Sequence, residues 1–144
     1  MPSARTDRAY EVTWLVRRLF RAMGAKADEY LASANLSAAE RAVMEFLYPD
    51  QEMSVPDIAR RYKVSRQHVQ VTVNGLIAKG LLRSVDNPQH QRSRLARLSN
   101  QGREQFDEIR RRELTLIEQV FADVSDNALA TTHETLTALL QEFE

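Results

Sequence analysis

The sequence contains no cysteine, and only four glycines and four prolines among its 144 residues. Without cysteine the chain can form no disulfide, no thiolate zinc site and no cysteine-based redox sensor. No apolar run approaches the roughly 20 residues that a membrane-spanning helix requires. The segment from Met1 to Arg8 is polar and lacks the apolar core of a signal peptide. We therefore expect a cytoplasmic protein with no membrane partner.

The chain also lacks net charge, because its 20 Lys and Arg residues balance its 20 Asp and Glu residues. The charges are nevertheless distributed unevenly. Residues 54–98 contain nine basic residues and only two acidic ones, so this segment carries +7 and the remainder of the chain −7. The asymmetry favours one surface that binds phosphate groups and another with a different role. Solvated arginines on an ordinary surface would give the same count.

Motifs of catalysis and metal binding are missing as well. The sequence has no nucleophile elbow, phosphate-binding loop or zinc-enzyme motif. The three histidines, His68, His90 and His133, are far apart in sequence. Without cysteine, a metal site would need carboxylates and histidines that converge from several helices. We therefore expect a protein that is not an enzyme and that needs neither a metal nor a cofactor.

Hydrophobic periodicity predicts a mainly α-helical fold with one small β-hairpin. The predicted helices run from about Asp7 to Ala32, after the capping-box pair Ser37 and Glu40, after Ser54, after Ser65, after Ser99, and from Ser125 or Asp126. The predicted strands are Leu82–Asp86 and Ser93–Leu98, around a polar loop with turn-forming residues. The fourth helix is expected to bury a stripe of Val69, Val73, Leu76 and Ile77. The fifth carries an apolar stripe that so short a chain can hardly bury alone, formed by Phe106, Ile109, Leu116, Ile117, Val120 and Val124.

The two short helices after Ser54 and Ser65 predict a helix-turn-helix. Ala59 supplies the small residue that the helix crossing needs, and the predicted apolar contacts are Ile58, Val64, Val69 and Leu76. Arg66, Gln67 and Gln70 remain on the exposed start of the second helix. A recognition helix reads base edges from this end, with Arg suited to guanine and Gln to adenine. A helical hairpin buried in a core is the alternative interpretation of the same pattern.

A basic hairpin follows the second of these helices. Arg92 stands at the end of its loop, and Arg94 and Arg97 follow on the second predicted strand. A basic hairpin in this place is typical of a wing, whose tip can place an arginine in the adjacent minor groove. The hairpin therefore favours DNA binding over a structural helix pair.

Six segments of the sequence, by their order and spacing, resemble the MarR family of multiple antibiotic resistance regulators. The segments are Val55–Ala59, Val64–Gln70, Leu76–Leu82, Asp86–Pro88, Arg92–Ser93 and Leu98–Gly102. The resemblance implies a winged helix-turn-helix with a helical dimerisation region. Residues 1–35 would form an N-terminal dimerisation helix, residues 36–98 the DNA-binding module, and residues 99–144 the C-terminal dimerisation helices. It also implies a homodimeric transcription regulator that binds an inverted-repeat DNA operator, most often as a repressor.

The resemblance also implies roles for individual residues. Ser65, Arg66, Gln67 and Gln70 fall at positions that contact the major groove, while Arg92 and Arg94 fall in the wing. The sequence departs from the family at His90, where members often have an aspartate near the wing-tip arginine. It departs again at Val71 and Gly75, where arginine is common. Asp86 is a candidate to brace Arg92 in place of the missing aspartate.

Relatives commonly release DNA when a small aromatic or anionic effector binds. By this resemblance, the candidate pocket residues are Trp14 and Arg17 on the first helix and Met44 and Phe46 on the second. Aromatic and methionine side chains at helical spacing are more often core residues, so packing is the alternative interpretation. For the whole chain, the alternative function is a winged-helix module that binds another protein and no DNA.

Overall fold

The computed structural model describes all 144 residues, Met1–Glu144, as six helices and a three-stranded antiparallel sheet. The helices are α1 (Ala4–Ser33), α2 (Ala38–Leu47), α3 (Val55–Tyr62), α4 (Arg66–Ala78), α5 (Asn100–Val120) and α6 (Asp126–Phe143). The strands are β1 (Met53–Ser54), β2 (Leu82–Val85) and β3 (Leu95–Leu98), in the spatial order β1-β3-β2. The predicted fold class, mainly α with a small β-hairpin wing, is confirmed. No helix combines the length and apolar character that crossing a membrane would require.

Serine N-caps explain where most of the helices begin. Ser37, Ser54, Ser65 and Ser125 each accept a hydrogen bond from a backbone N–H in the first turn of the following helix. Ser37 and Glu40 form the complete capping box that the sequence predicts. The first helix begins at Ala4, three residues before the predicted start, because the Ser3 hydroxyl accepts from the amide of Thr6.

The sheet has one more strand than the sequence predicts. Met53 pairs with Ala96 and Ser54 with Leu95, so β1 adds a third strand beside β3. Two residues are too few to show the alternation that identifies a strand. Strands β2 and β3 are also shorter than predicted, since Asp86, Ser93 and Arg94 belong to the loop between them.

Met1–Ile109 forms one compact unit, and its core joins α2, α3 and α4 to the sheet and to the first half of α5. Phe106, Leu47, Ile58 and Leu76 are among its largest fully buried side chains. The prediction that Ile77 is buried is wrong, because this side chain is 39% exposed. The buried face of α4 is completed instead by Thr72, whose hydroxyl donates to the His68 carbonyl at 3.0 Å.

Arg110–Glu144 forms a second compact unit, which contains the second half of α5 and the whole of α6. The apolar stripe predicted for α5 is buried at Phe106 and Ile109, while further along Ile117 and Val120 are exposed and Leu116 is half-buried. Val124 is not part of α5, which ends at Val120. Every residue of α6 is exposed, including Leu136, Leu140 and Phe143.

Candidate nucleic-acid interface

Helices α3 and α4 form the predicted helix-turn-helix. The turn begins at Lys63, which adopts the left-handed conformation (φ 57°, ψ 43°), and the Val64 amide donates to the Ala59 carbonyl at 3.2 Å. Ala59 and Ile58 are buried at the crossing, while Val64 is half-buried against the core. A small side chain at position 59 permits this close approach of the two helices.

The first turn of α4 presents polar side chains to solvent. The Ser65 hydroxyl caps the helix by accepting from the His68 amide at 3.1 Å. Arg66, Gln67 and Gln70 are exposed, as the sequence predicts. Because Val69, Val73 and Leu76 fix the opposite face in the core, the orientation of these polar side chains is set by packing.

Gln70 has a partner that the sequence analysis did not assign. Its Nε2 donates to the Asn74 Oδ1 at 2.9 Å, one turn further along α4. The bond leaves the Gln70 carbonyl oxygen and one Nε2 hydrogen available to an outside group. Asn74 therefore positions Gln70, and the i,i+4 spacing of two amides on an exposed face is the signal that could have identified it.

The loop from Asp86 to Arg94 is closed by its own backbone and by Asn87. The Asn87 Nδ2 donates across the loop to the Ser93 carbonyl at 2.9 Å, and its Oδ1 accepts from the Gln89 amide at 3.1 Å. The His90 amide donates to the Asn87 carbonyl at 3.2 Å, and the Ser93 amide to the His90 carbonyl at 3.2 Å. The wing loop is therefore an ordered turn, with Arg92 exposed near its end.

The suggestion that Asp86 braces Arg92 is wrong. Asp86 pairs with Arg94, whose Nη1 lies 2.5 Å from its Oδ1. Arg94 also donates to the Ser84 hydroxyl at 2.7 Å and to the Ser84 carbonyl at 3.2 Å. Asp86 and Arg94 flank the loop directly after β2 and before β3, so the pair closes the base of the loop.

Helix α4 and the wing loop, with residues of α3, β2 and β3, line an open cleft of about 540 Å³. Five of the six predicted DNA-contacting side chains line it, together with Asn74, Ser84 and Ser93: Arg66, Gln67 and Gln70 from α4, and Arg92 and Arg94 from the wing. Ser65 is exposed at the N-cap and is not among the lining residues. Residues that are 22 or more positions apart in sequence thus share one concave surface.

The guanidinium groups of Arg66 and Arg92 are not engaged within the chain. Neither side chain forms a hydrogen bond or an ion pair with another residue, and both are exposed. Arg97, by contrast, pairs with Glu52 at 3.1 Å. The cleft therefore presents two unpaired positive charges and a set of side-chain amides and hydroxyls, which suits a polyanion with hydrogen-bonding groups.

The C-terminal end of α4 is held by Lys79. Its Nζ donates to the Glu40 carboxylate at 2.9 Å and to the Asn35 carbonyl at 2.7 Å. Burial alone would raise the pKa of Glu40. The hydrogen bonds from Lys79 and the Ser37 amide outweigh burial, so the pKa of Glu40 lies below its usual value. The ion pair fixes the far end of α4 to the start of α2.

The four predicted effector-pocket residues do not line this cleft. Met44 is fully buried in the core, and Phe46 packs edge-to-face against the Tyr62 ring. Trp14 is exposed on α1, where the Arg18 guanidinium lies 4.6 Å from the centre of its ring, and Arg17 is exposed beside it. An effector pocket formed by these residues stays a prediction.

Comparison with known proteins identifies the module that carries the cleft. The MarR family model matches residues 34–93, which include α2, α3, α4 and most of the wing loop. Uncharacterized proteins of Mycobacterium tuberculosis and Mycobacterium bovis are 29% identical to this chain over 132 residues, which cover 90% of this chain and 92% of each relative.

Solved structures show the same fold along nearly the whole chain. A MarR family transcription regulator of known crystal structure superposes with a TM-score of 0.90 at 23% identity, covering 96% of this chain and 92% of its own. The transcriptional regulator BldR from Sulfolobus solfataricus superposes with a TM-score of 0.81 at 20% identity, covering 97% of this chain and 99% of its own.

Proposed function

We propose that the chain is a winged helix-turn-helix regulator of the MarR family, whose model matches residues 34–93, and that it regulates transcription by binding double-stranded DNA as a homodimer. The observation that carries the proposal is the cleft between α4 and the wing loop. There the unpaired guanidinium groups of Arg66 and Arg92 lie on the same surface as Gln67 and Gln70.

Each part of this surface suits a different part of the duplex. The exposed first turns of α4 fit the major groove, where Arg66 is suited to guanine and Gln67 and Gln70 to adenine. The wing loop then follows the neighbouring minor groove, whose negative potential attracts the free guanidinium of Arg92. Ser65 stands at the helix N-terminus, where phosphate groups bind favourably.

The exposed apolar residues of the two units support a homodimer. Helix α1 exposes Leu15, Leu19, Phe20 and Met23, and α6 exposes Leu136, Leu139, Leu140 and Phe143. Soluble monomers rarely leave this much large apolar surface uncovered, so we assign residues 1–35 and 99–144 to dimerisation. A two-fold dimer that binds one duplex spaces its recognition helices about 34 Å apart, so the operator is an inverted repeat.

We further propose that the dimer represses transcription and is released by a small aromatic or anionic effector. The exposed cations Arg17 and Arg18 beside Trp14 support this part, because a cation next to an indole can bind both the charge and the ring of such a molecule. Trp14 is the single tryptophan of the chain. Quenching of its fluorescence by phenolic acids, together with release of bound DNA, tests the effector.

Selection of bound sequences from a random duplex library, followed by a salt series on the selected operator, tests the main proposal. If the guanidinium groups of Arg66 and Arg92 from both subunits together neutralise four phosphate charges, log K falls against log salt with a slope of about −3.6 or steeper. Replacing Arg66 with alanine costs about 1–3 kcal/mol of binding if this arginine reads a base. The variant then loses its base preference at one position of each half-site and keeps it at the others.

Lys26→Ala is the matched control, because it removes one positive charge from α1, outside the helix-turn-helix. We expect this variant to bind the operator as the wild type does. If no duplex is enriched, and a second protein copurifies with the chain instead, the surface is a protein-interaction module and the proposal is wrong.

A further inference from the structure

One apolar side chain stands exposed in the middle of the polar face of α4. Val71 is 67% exposed. The other exposed residues between positions 66 and 74 are all polar or charged, namely Arg66, Gln67, His68, Gln70 and Asn74. An isolated valine on a surface needs no special explanation. Val71, however, lies among side chains that suit base edges, and this position indicates a specific role for it.

Val71 follows Gln67 by four residues, so the two side chains lie one above the other on the same face of α4. The buried residues Val69, Val73 and Leu76 hold the opposite face in the core. A helix that brings Gln67 to a base edge therefore brings Val71 to the groove floor about 6 Å, or slightly more than one turn, further along. Gln70 and Asn74 are hydrogen-bonded to each other on the flank of this ridge.

The chemistry of the major groove offers one apolar partner for such a side chain, the 5-methyl group of thymine. Valine is β-branched and holds one dominant χ1 rotamer in a helix, so its two methyl groups have a fixed direction and lose little freedom on binding. We infer that Val71 is a specificity-determining residue that packs against a thymine 5-methyl group in each half-site. The inference rests on the proposed DNA-binding function.

A protein partner or a second copy of the chain is a poorer occupant of this surface. Val71 is flanked on the helix surface by Gln67, His68 and Asn74, so docking a protein here would bury several polar groups for one apolar side chain. A base edge satisfies the same polar groups with hydrogen bonds while its methyl group covers the valine.

Replacing thymine with deoxyuridine removes only the methyl group and leaves the base pairing intact. We expect one thymine in each half-site of the selected operator to be sensitive, with affinity reduced about fourfold for one substitution and about fifteenfold for both. The fourfold factor corresponds to one methyl-sized group (about 0.8 kcal/mol) removed from water. The remaining thymines, scanned in the same way, serve as controls within the same duplex.

Val71→Ala then tests the side chain itself. Alanine has a higher helix propensity than valine, and circular dichroism checks the fold of the variant. We expect Val71→Ala to lose most of the fourfold preference for thymine, because the two methyl groups that cover the 5-methyl group are gone, while the wild type keeps that preference.

The outcomes distinguish this inference from the proposed function. If the wild type selects and binds an operator in which every thymine tolerates uracil, the assignment of Val71 is wrong and the DNA-binding function stands. If Val71→Ala retains the preference for thymine, another residue reads the methyl group and the assignment is again wrong. Failure to select any duplex contradicts the proposed function itself.

Discussion

Among the four glycines, Gly102, in the first turn of α5, is the one where the structure leaves the least room for a side chain. A Cβ built on Gly102 would lie 2.0 Å from the carbonyl oxygen of Leu81 and 2.9 Å from its carbonyl carbon. Carbon and oxygen atoms in contact are normally at least about 3.3 Å apart. Replacing Gly102 with alanine therefore requires the start of α5 and the start of the wing to separate by about 1.3 Å.

The separation breaks hydrogen bonds as well as packing. The Leu81 carbonyl accepts from the Ser99 amide at 3.0 Å, and the Ser99 hydroxyl donates to the Gly80 carbonyl at 2.6 Å while it accepts from the Gly102 amide at 3.0 Å. Overpacking costs about 1–3 kcal/mol, and each lost hydrogen bond about 1 kcal/mol. We expect Gly102→Ala to lower the free energy of unfolding by about 3–4 kcal/mol.

Gly75→Ala is the matched control. Gly75 lies inside α4, and its added Cβ would meet only the Glu40 carboxylate oxygen at 3.9 Å, an ordinary contact. The helix propensity of alanine should then raise stability by about 0.5–1 kcal/mol. Urea unfolding followed by circular dichroism, at one fixed protein concentration because the proposed dimer would make stability depend on concentration, measures both variants. A Gly102→Ala midpoint equal to that of the wild type would refute the close approach.

Two further predictions concern the ion pairs of the module. Because the pKa of Glu40 is lowered in the folded chain, its ionised form stabilises the fold above the ordinary glutamate pKa, and this contribution is lost as pH falls through the folded value. Urea midpoints measured between pH 6 and pH 3 should therefore fall less steeply for Glu40→Gln than for the wild type; identical slopes for the two would contradict the role of Glu40. For the wing, Arg94→Ala removes the bonds to Ser84 and Asp86, so hydrogen exchange of the loop amides His90 and Ser93 should accelerate by up to about tenfold. Arg92→Ala should leave exchange unchanged because Arg92 has no partner in the chain, and equal exchange in both variants would show that Arg94 does not hold the loop.

The helix boundaries were predictable from sequence because their causes are local. A serine that accepts from a backbone amide three residues later needs no information from elsewhere in the chain, and five of the predicted helix starts follow this rule or its capping-box form. The end of α4 is similarly local. Gly80 adopts a positive φ of 75° directly after the helix, a conformation that glycine tolerates and other residues resist.

Several of the features that the sequence did not predict depend on distant partners. Strand β1 exists because Met53 and Ser54 meet β3 more than 40 residues later. Asp86 could be assigned to either Arg92 or Arg94 from spacing alone, and the register of β2 and β3 decides for Arg94. Ile77 lies at the margin of the periodic stripe, where the orientation of the wing determines whether the side chain is covered. Hydrophobic periodicity therefore predicts which face of a helix is buried, but not whether a residue at the edge of that face is covered.

Some basic residues are paired within the chain and others are not, and this difference explains how a chain with no net charge can present a surface for a polyanion. Most of the nine basic residues between positions 54 and 98 are engaged within the chain, for example Lys79 with Glu40, Arg94 with Asp86 and Arg97 with Glu52. These pairs hold α4 and the wing in place and contribute little outward charge. Arg66 and Arg92 are unpaired and line the same cleft. The proposed interface therefore consists of two unpaired guanidinium groups on elements that the paired residues hold in place. What bears on nucleic-acid binding is whether a basic residue is paired within the chain, and not the net charge of the chain.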